Sequence, residues 1–492
     1  MATHDRKLAA HLARRAGFGA TPDELDYYES MAYEDLVDHF LDRESIDHVT
    51  DDLIYRRHPN IHAQLTHNPM HWAYRMLTTN SPLEEKISLF WHGIFATAEP
   101  KINNFGAINN QISMFRDKGL EKFDDILIEL SKDPAMIVWL DNQTNHKNEI
   151  NENYGREILE LFSMGVGNYT EQDIKECARA FTGWTIKNSE YMALMGNKDS
   201  IWPYGRIFWH FEYDENDHDG GEKTFLGETG NFNGDDIIRI ICEQEATAQF
   251  VSRHIYNYFV ADEVPVPQWG HVPPKDPDAI NKLSQAYRES DYSIREMLRF
   301  LFNSDFFKQS RFTRIKSPAE FIVNTLRYTK EFNVIDGADN TVYQVMEESG
   351  FMGQKLTNPP SVEGWHTGEE WITSGSLVDR VNFASKYITD LTNPGVEKMV
   401  ARVGESINTE TSPTELVDKC IAILGELEVS PDTYDSLMTI AEHAHSVDGN
   451  FTSEPEPIIT KAFQIISSSK ESASTTFPSL DFIFPEGKSI IP

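Results

Sequence analysis

Residues 151–184 read NENYGREILELFSMGVGNYTEQDIKECARAFTGW. The first half carries apolar residues at helical spacing. At about 100° per residue, Tyr154, Ile158, Leu161 and Phe162 share one side, with Leu159 at its edge. Glu152, Asn153, Arg156, Glu157 and Glu160 fill the other side in one arc of roughly 140°. The second half opens on Thr170-Glu171-Gln172-Asp173, a capping signal ahead of the helix that carries Cys177 and Phe181. This is the pattern of amphipathic helices, and it predicts a helical body. A polar set this dense against a buried face is costly unless it is paired or used. It is therefore the first candidate site.

Working outward, the same capping device recurs. Thr21-Pro22-Asp23-Glu24, Ser81-Pro82-Leu83-Glu84, Asp133-Pro134, Asn233-Gly234-Asp235-Asp236 and Ser317-Pro318-Ala319-Glu320 each predict a helix start. Such caps satisfy orphan N–H groups and place an anion at the positive helix end. One region breaks the pattern. Segments 183–186, 206–213 and 222–226 read as short strands, with DENDHDGG as a wide polar turn between the last two. The expected class is mostly α, a large multi-helical body with a small antiparallel β-ribbon insert. Residues 1–392 are read as the core, with the ribbon around 183–230. Residues 404–412 read as a linker, 413–467 as a C-terminal helical appendage and 468–492 as a Ser/Thr-rich tail.

Composition sets outer bounds. The 492 residues are 40% hydrophobic, enough apolar material for a large folded body. Lys and Arg total 44 against 78 Asp and Glu, a net charge of −34. That excess repels phosphates, so nucleic acid is not expected as a partner. The three cysteines, Cys177, Cys242 and Cys420, form no CxxC and no zinc spacing. Cys177 and Cys242 sit in apolar helical settings, so buried, inert thiols are expected there. No run approaches the ~20 apolar residues of a membrane helix. The opening MATHDRKLAAHLARRAGFG has no apolar secretion core. As written, a soluble cytoplasmic protein is expected; a trimmed signal would make it an exported one.

Several constellations can carry chemistry. Glu157 and Glu160 form an i, i+3 like-charge pair, and Arg156 is spaced to bridge Glu152 and Glu160. Burial and repulsion would raise one carboxyl pKa, supplying an acid and a base, or oxygen ligands for a divalent cation. The competing reading is an Arg-centred network that pins the helix. The loop Asp141-Asn142-Gln143-Thr144-Asn145, leading to Asn153, either caps locally through Asx-turns or grips sugar hydroxyls. His218-Asp219 is a proton-transfer pair, a metal ligand with its orienting carboxylate, or a locally bonded turn. Asp214, Asn216 and His218 alternate as in a calcium loop, but Asp219 stands where glycine is needed. The glycine-rich 227–234 segment matches no nucleotide motif, though its N–H groups are placed to hold an anion. His92 reads as a satisfied core histidine. Trp365 and Trp371 are candidates for a pocket wall, with plain packing as the default. His11, Arg14 and Arg15 share a helix as prospective counter-ions for the acidic arc. No G-x-S-x-G, H-E-x-x-H or Cys/His signature is present.

Seven segments in order carry a resemblance: HLARRAGFGATPDEL (11–25), LFWHGIFAT (89–97), KDPAMIVWLDNQTN (132–145), the opening stretch, HDGGEKTFLGETGNFNGDDII (218–238), KSPAEF (316–321) and NPPSVEGWHTGEEWI (358–372). Together they resemble the bacterial domain-of-unknown-function 1800 family. The resemblance implies a mostly helical fold and assigns no reaction. Its members are often exported and often encoded beside proteins similar to alkaline phosphatases and sulfatases, which implies a partner of that kind. The functional expectation is a hydrolase or lyase acting on a carbohydrate-like or anionic polymer. Glu157 and Glu160 would be its acid–base pair, Arg156, His218 and Asp219 would hold charge, and Asp141, Asn142, Asn145, Asn153 and Trp365 would contact the ligand. The alternative is a non-catalytic scaffold for the phosphatase- or sulfatase-like partner.

Overall fold

The structure is a computed structural model that describes residues 5–42, 67–188, 209–330, 341–445, 451 and 454–469. Residues 206–208 of a predicted strand and 470–492 of the predicted tail lie outside it. The chain opens with α1 (Arg6–Ala16), α2 (Pro22–Glu29), α3 (Tyr33–Leu41), α4 (His67–Thr78), α5 (Pro82–Ile94), α6 (Glu99–Ile102) and α7 (Phe105–Lys118). Next come α8 (Phe123–Lys132), α9 (Pro134–Trp139), α10 (Asn153–Glu160) and α11 (Glu171–Ala180). Strands β1 (Trp184–Asn188), β2 (Trp209–Tyr213), β3 (Lys223–Phe225) and β4 (Glu228–Gly230) interrupt the helices. Helices resume with α12 (Gly234–Glu243), α13 (Glu245–Phe259), α14 (Pro277–Glu289), α15 (Ile294–Asn303), α16 (Asp305–Lys308), α17 (Pro318–Thr329), α18 (Thr341–Phe351) and α19 (Ser374–Ile388). The last four are α20 (Pro394–Glu405), α21 (Pro413–Ile423), α22 (Pro431–His443) and α23 (Pro455–Ser467). The fold is mostly α with a small antiparallel β part, as expected.

Most of the predicted caps form. Thr21, Thr170, Asn233 and Ser317 each close a reciprocal box with the carboxylate three residues on. Asn233 and Asp236 thereby occupy the α12 start that the glycine-rich segment offered to an anion. Ser81 is a correction. Its hydroxyl turns to Asn80 at 3.4 Å and makes no cap bond, so Pro82, which lacks an N–H, begins α5.

The expected single ribbon divides into two. β1 pairs antiparallel with β2, Trp184 opposite Tyr213 and Asn188 opposite Trp209. β3 pairs instead with β4, because the chain reverses at Leu226 and Gly227. Both residues have positive φ, 47° and 87°, the geometry of a two-residue hairpin turn.

One large apolar cluster runs from α1 through α19 and includes Trp72, Trp91, Tyr154, Phe162 and Ile241. A second gathers α20 to α23 around Val396, Cys420 and Phe463, joined to the body by Tyr328 and Ile388. All three cysteines are free and buried. Among the described residues, no helix is long and apolar enough to cross a membrane.

Candidate functional site

Gly155 brings the two halves of the opening stretch together. A Cβ there would meet Ala178 N and Ile174 O at 3.0 Å, so α10 crosses α11 with backbone against backbone. Tyr154, Ile158, Leu159 and Phe162 go into the core, while Leu161 stays half-buried. The polar arc therefore faces outward, as its spacing predicts. Its internal pairing differs from the expectation. Arg156 makes a two-pronged contact with Glu171 at 2.9 and 3.1 Å and lies 3.8 Å from Glu152. Glu160 accepts instead from the Tyr169 hydroxyl at 2.8 Å. The turn after α10 widens, Phe162 N donating to Glu157 O and Met164 and Gly165 N both reaching Leu159 O. That loosened turn places Glu160, Leu161, Met164 and Asn168 on a cleft.

The cleft has a volume of about 700 Å³. α5 supplies Leu89 and Phe90 to it; α13 supplies Phe250, Arg253, His254 and Tyr258. Trp269 comes from the proline-rich loop, and Glu363, Trp365 and Trp371 come from the 358–372 segment. Gly364 holds that segment in place. Its φ is 82°, and a Cβ there would lie 2.0 Å from Gly93 O, so the chain rests directly on the end of α5. The contact seats Trp365 edge-on to His92 at 5.3 Å. It also brings Glu363 near enough for its charge to act on Glu157.

Acidic groups dominate the electrostatics of this lip, with Arg156 opposing them. Partial burial, then the neighbouring Glu160, push the Glu157 carboxyl up to about 7; Arg156 opposes and Glu363 adds to the rise. Glu160 and Glu363 have no cation within 4 Å among the described residues. The cationic residues of the cleft are already engaged. Arg253 pairs with buried Glu263 at 2.7 and 3.1 Å, and Arg314 is bidentate to buried Glu320 at 2.9 Å. His254 lies 4.6 Å from each of the Phe250 and Trp269 rings. Its Nε2 has no hydrogen-bond partner, and burial lowers its pKa to about 3, so it presents a neutral imidazole.

The other predicted site residues lie elsewhere, and none of them lines the cleft. Asn142 donates to the Phe181 and Trp184 carbonyls at 3.3 and 2.8 Å, and Asn145 to Ala178 O at 2.8 Å. Asn153 donates to Leu140 O, and Asp141 pairs with Lys101 at 3.1 Å. These amides tie the 141–153 loop to α11 and β1, which is the capping reading taken further. His218 Nδ1 bonds the Thr182 carbonyl at 2.9 Å, and Asp219 binds Arg179 at 2.7 Å. The Asp219 carboxyl sits below its usual range because Arg179 hydrogen-bonds it. Both residues thus clasp the polar turn onto α11. His11 bonds the Phe307 carbonyl, Arg14 the Gly425 carbonyl and Arg15 the Val260 and Ser310 carbonyls, so none of them meets the acidic arc. His92 is buried as expected, but neither of its ring nitrogens has a partner. Glu363, His254 and Trp269 were not singled out as site residues. The only sequence signal for Glu363 is its place between Pro360 and Trp365 in the segment that carries the family resemblance.

Among the described residues, no three His, Cys, Asp or Glu side chains come together as a metal-holding group. The family model described as "Protein of unknown function (DUF1800)" matches residues 11–471. The chain belongs to this family. The match extends over α20 to α23, so the second apolar cluster lies within the family's span. No curated protein and no solved structure matches the chain.

Proposed function

We propose that the cleft binds an elongated, uncharged ligand of the carbohydrate class, and that the protein acts on it as a hydrolase or lyase. The observation that carries this reading is the Glu157 carboxyl, held up to about 7. It is not itself a lining residue, but it stands within reach of the charges of Glu160 and Glu363, which line the aromatic cleft. A carboxyl still protonated near neutral pH is a competent general acid, and the Glu160 carboxylate is the partner base. Trp269, Trp365, Trp371 and Tyr258 offer flat apolar faces, and Asn168, Gln249 and Asn257 offer hydrogen bonds beside them. The charge balance favours an uncharged ligand over an anionic polymer. Both cleft arginines are neutralised by buried glutamates, while among the described residues neither Glu160 nor Glu363 forms an ion pair.

The test screens neutral oligosaccharides for thermal stabilisation and for release of reducing ends. Glu157→Gln should lower turnover by about 100-fold or more, the scale of general acid catalysis. Wild-type activity should fall as pH rises past about 7, because the acid form of Glu157 is lost there. The raised pKa also means that the folded state holds a proton the unfolded chain releases. Glu157 therefore weakens the fold as pH rises from the ordinary carboxyl range through about 7, and Glu157→Gln should flatten that decline. Full activity in Glu157→Gln, or no oligosaccharide binding at all, would sink the proposal and leave the scaffold role as the better account.

A further inference from the structure

Where α1, α5 and the start of α17 meet, a second and much smaller cavity lies behind the cleft. It offers about 10 Å³ of room, the scale of one water or one monoatomic ion. Five cationic side chains line it, Arg14, Arg15, Lys86, Arg314 and Lys316, against one carboxylate, Glu320. Arg15, Lys86, Arg314 and Lys316 are each at most 9% exposed. Burying like charges together is unfavourable unless opposite charge answers them.

Carboxylates act on all of them from a distance, Glu426 and Glu428 on Arg14 included, but they do not pair directly with every one. Both Glu320 oxygens are occupied, one by Lys86 and Arg314, the other by Arg314 and the Ser317 N–H. Asp262 acts on Arg15 and Arg314 from a distance and spends one oxygen on the Ile315 N–H at 2.7 Å. Arg15 is left with two long bonds, to the Val260 and Ser310 carbonyls at 3.2 and 3.5 Å. Lys316 has three donors and bonds Asn324 Oδ1 at 3.0 Å. Arg14 reaches the Gly425 carbonyl and stands over the Phe312 ring. None of these three cations has a carboxylate within 4 Å among the described residues. Burial, reinforced by neighbouring cations, lowers Arg15 to about 9 and Lys316 to about 7, the direction an added anion would reverse.

We propose that this cavity is a binding site for one small inorganic anion of halide size, chloride first, held among Arg14, Arg15 and Lys316. The site stands apart from the cleft proposal and does not depend on it. Room on this scale favours a halide over the larger sulfate and phosphate, so size separates the candidate anions.

The full chain is dialysed into halide-free gluconate and titrated with chloride at constant ionic strength, because general screening also steadies a chain of −34 charge. A melting temperature that rises by about 2–4 °C at saturation supports the site. Bromide should match chloride, sulfate and phosphate should not, and Lys316→Met should lose most of the rise. Should that variant fail to fold, bromide-soaked wild-type crystals decide, with one anomalous peak inside the cavity expected. Equal effects of chloride and gluconate, an equal rise with sulfate, or no bromide peak in the cavity would overturn the proposal.

Discussion

The lip of the cleft and the nest behind it are opposites. At the lip, Glu160 and Glu363 line the cleft with Glu157 close behind them, all three partly exposed. In the nest, five cations gather around Glu320, four of them buried and Arg14 partly exposed. In the first group partial burial, then mutual repulsion, raises the Glu157 pKa, and the remaining contact with water keeps the cost small. The second group has lost its water, so each charge needs a partner atom by atom. The lip draws two of its acids from one helix, α10, whereas the nest draws its cations from α1, α5 and the segment ahead of α17. Access of water decides whether such residues tune chemistry or hold the fold together.

The largest expected effect comes from Glu320→Gln. It leaves Arg314 and Lys86 buried without their shared carboxylate and should cost about 3–5 kcal/mol in denaturant unfolding. A loss under about 1 kcal/mol would mean that another anion already serves these cations, and the contrast with the lip would weaken. Asn142→Ala comes next. It removes both bonds to the Phe181 and Trp184 carbonyls and should destabilise by about 1–3 kcal/mol, with ligand binding in the cleft intact. A near-neutral effect on stability combined with lost binding would return the amide loop to a recognition role. The smallest effect is expected for Arg156→Ala. Arg156 is 37% exposed and its partner Glu171 70%, so the stability change should stay within about 0–1 kcal/mol. The same change removes a group that lowers the Glu157 pKa, so the basic limb of the activity profile should move upward. An unmoved limb would separate Glu157 from the chemistry.

Much of the local structure was legible from the residues. The caps at Thr21, Thr170, Asn233 and Ser317 depend on atoms three residues apart, and they form. The two faces of α10 follow from the 3.6-residue period, and they separate core from solvent. Ser81 shows the limit: the same signature stands there, yet its hydroxyl turns to Asn80. The β-segments show another. Which strand pairs with which depended on a two-residue reversal at Leu226, a residue type that rarely takes positive φ.

The site was only half legible. Glu157, Glu160 and Trp365 could be named from spacing and aromatic content, but Glu363 reaches Glu157 from more than two hundred positions away. Glu320 read as a helix cap, and it is one. Nothing local announced that the same carboxylate would also meet Lys86 from α5 and Arg314. Bonds between near neighbours are written into the order of residues, because the chain brings those atoms together whatever the rest does. Desolvation, pKa and long-range pairing depend on which distant segments pack together. That packing made one acidic group an open lip and one basic group a closed nest.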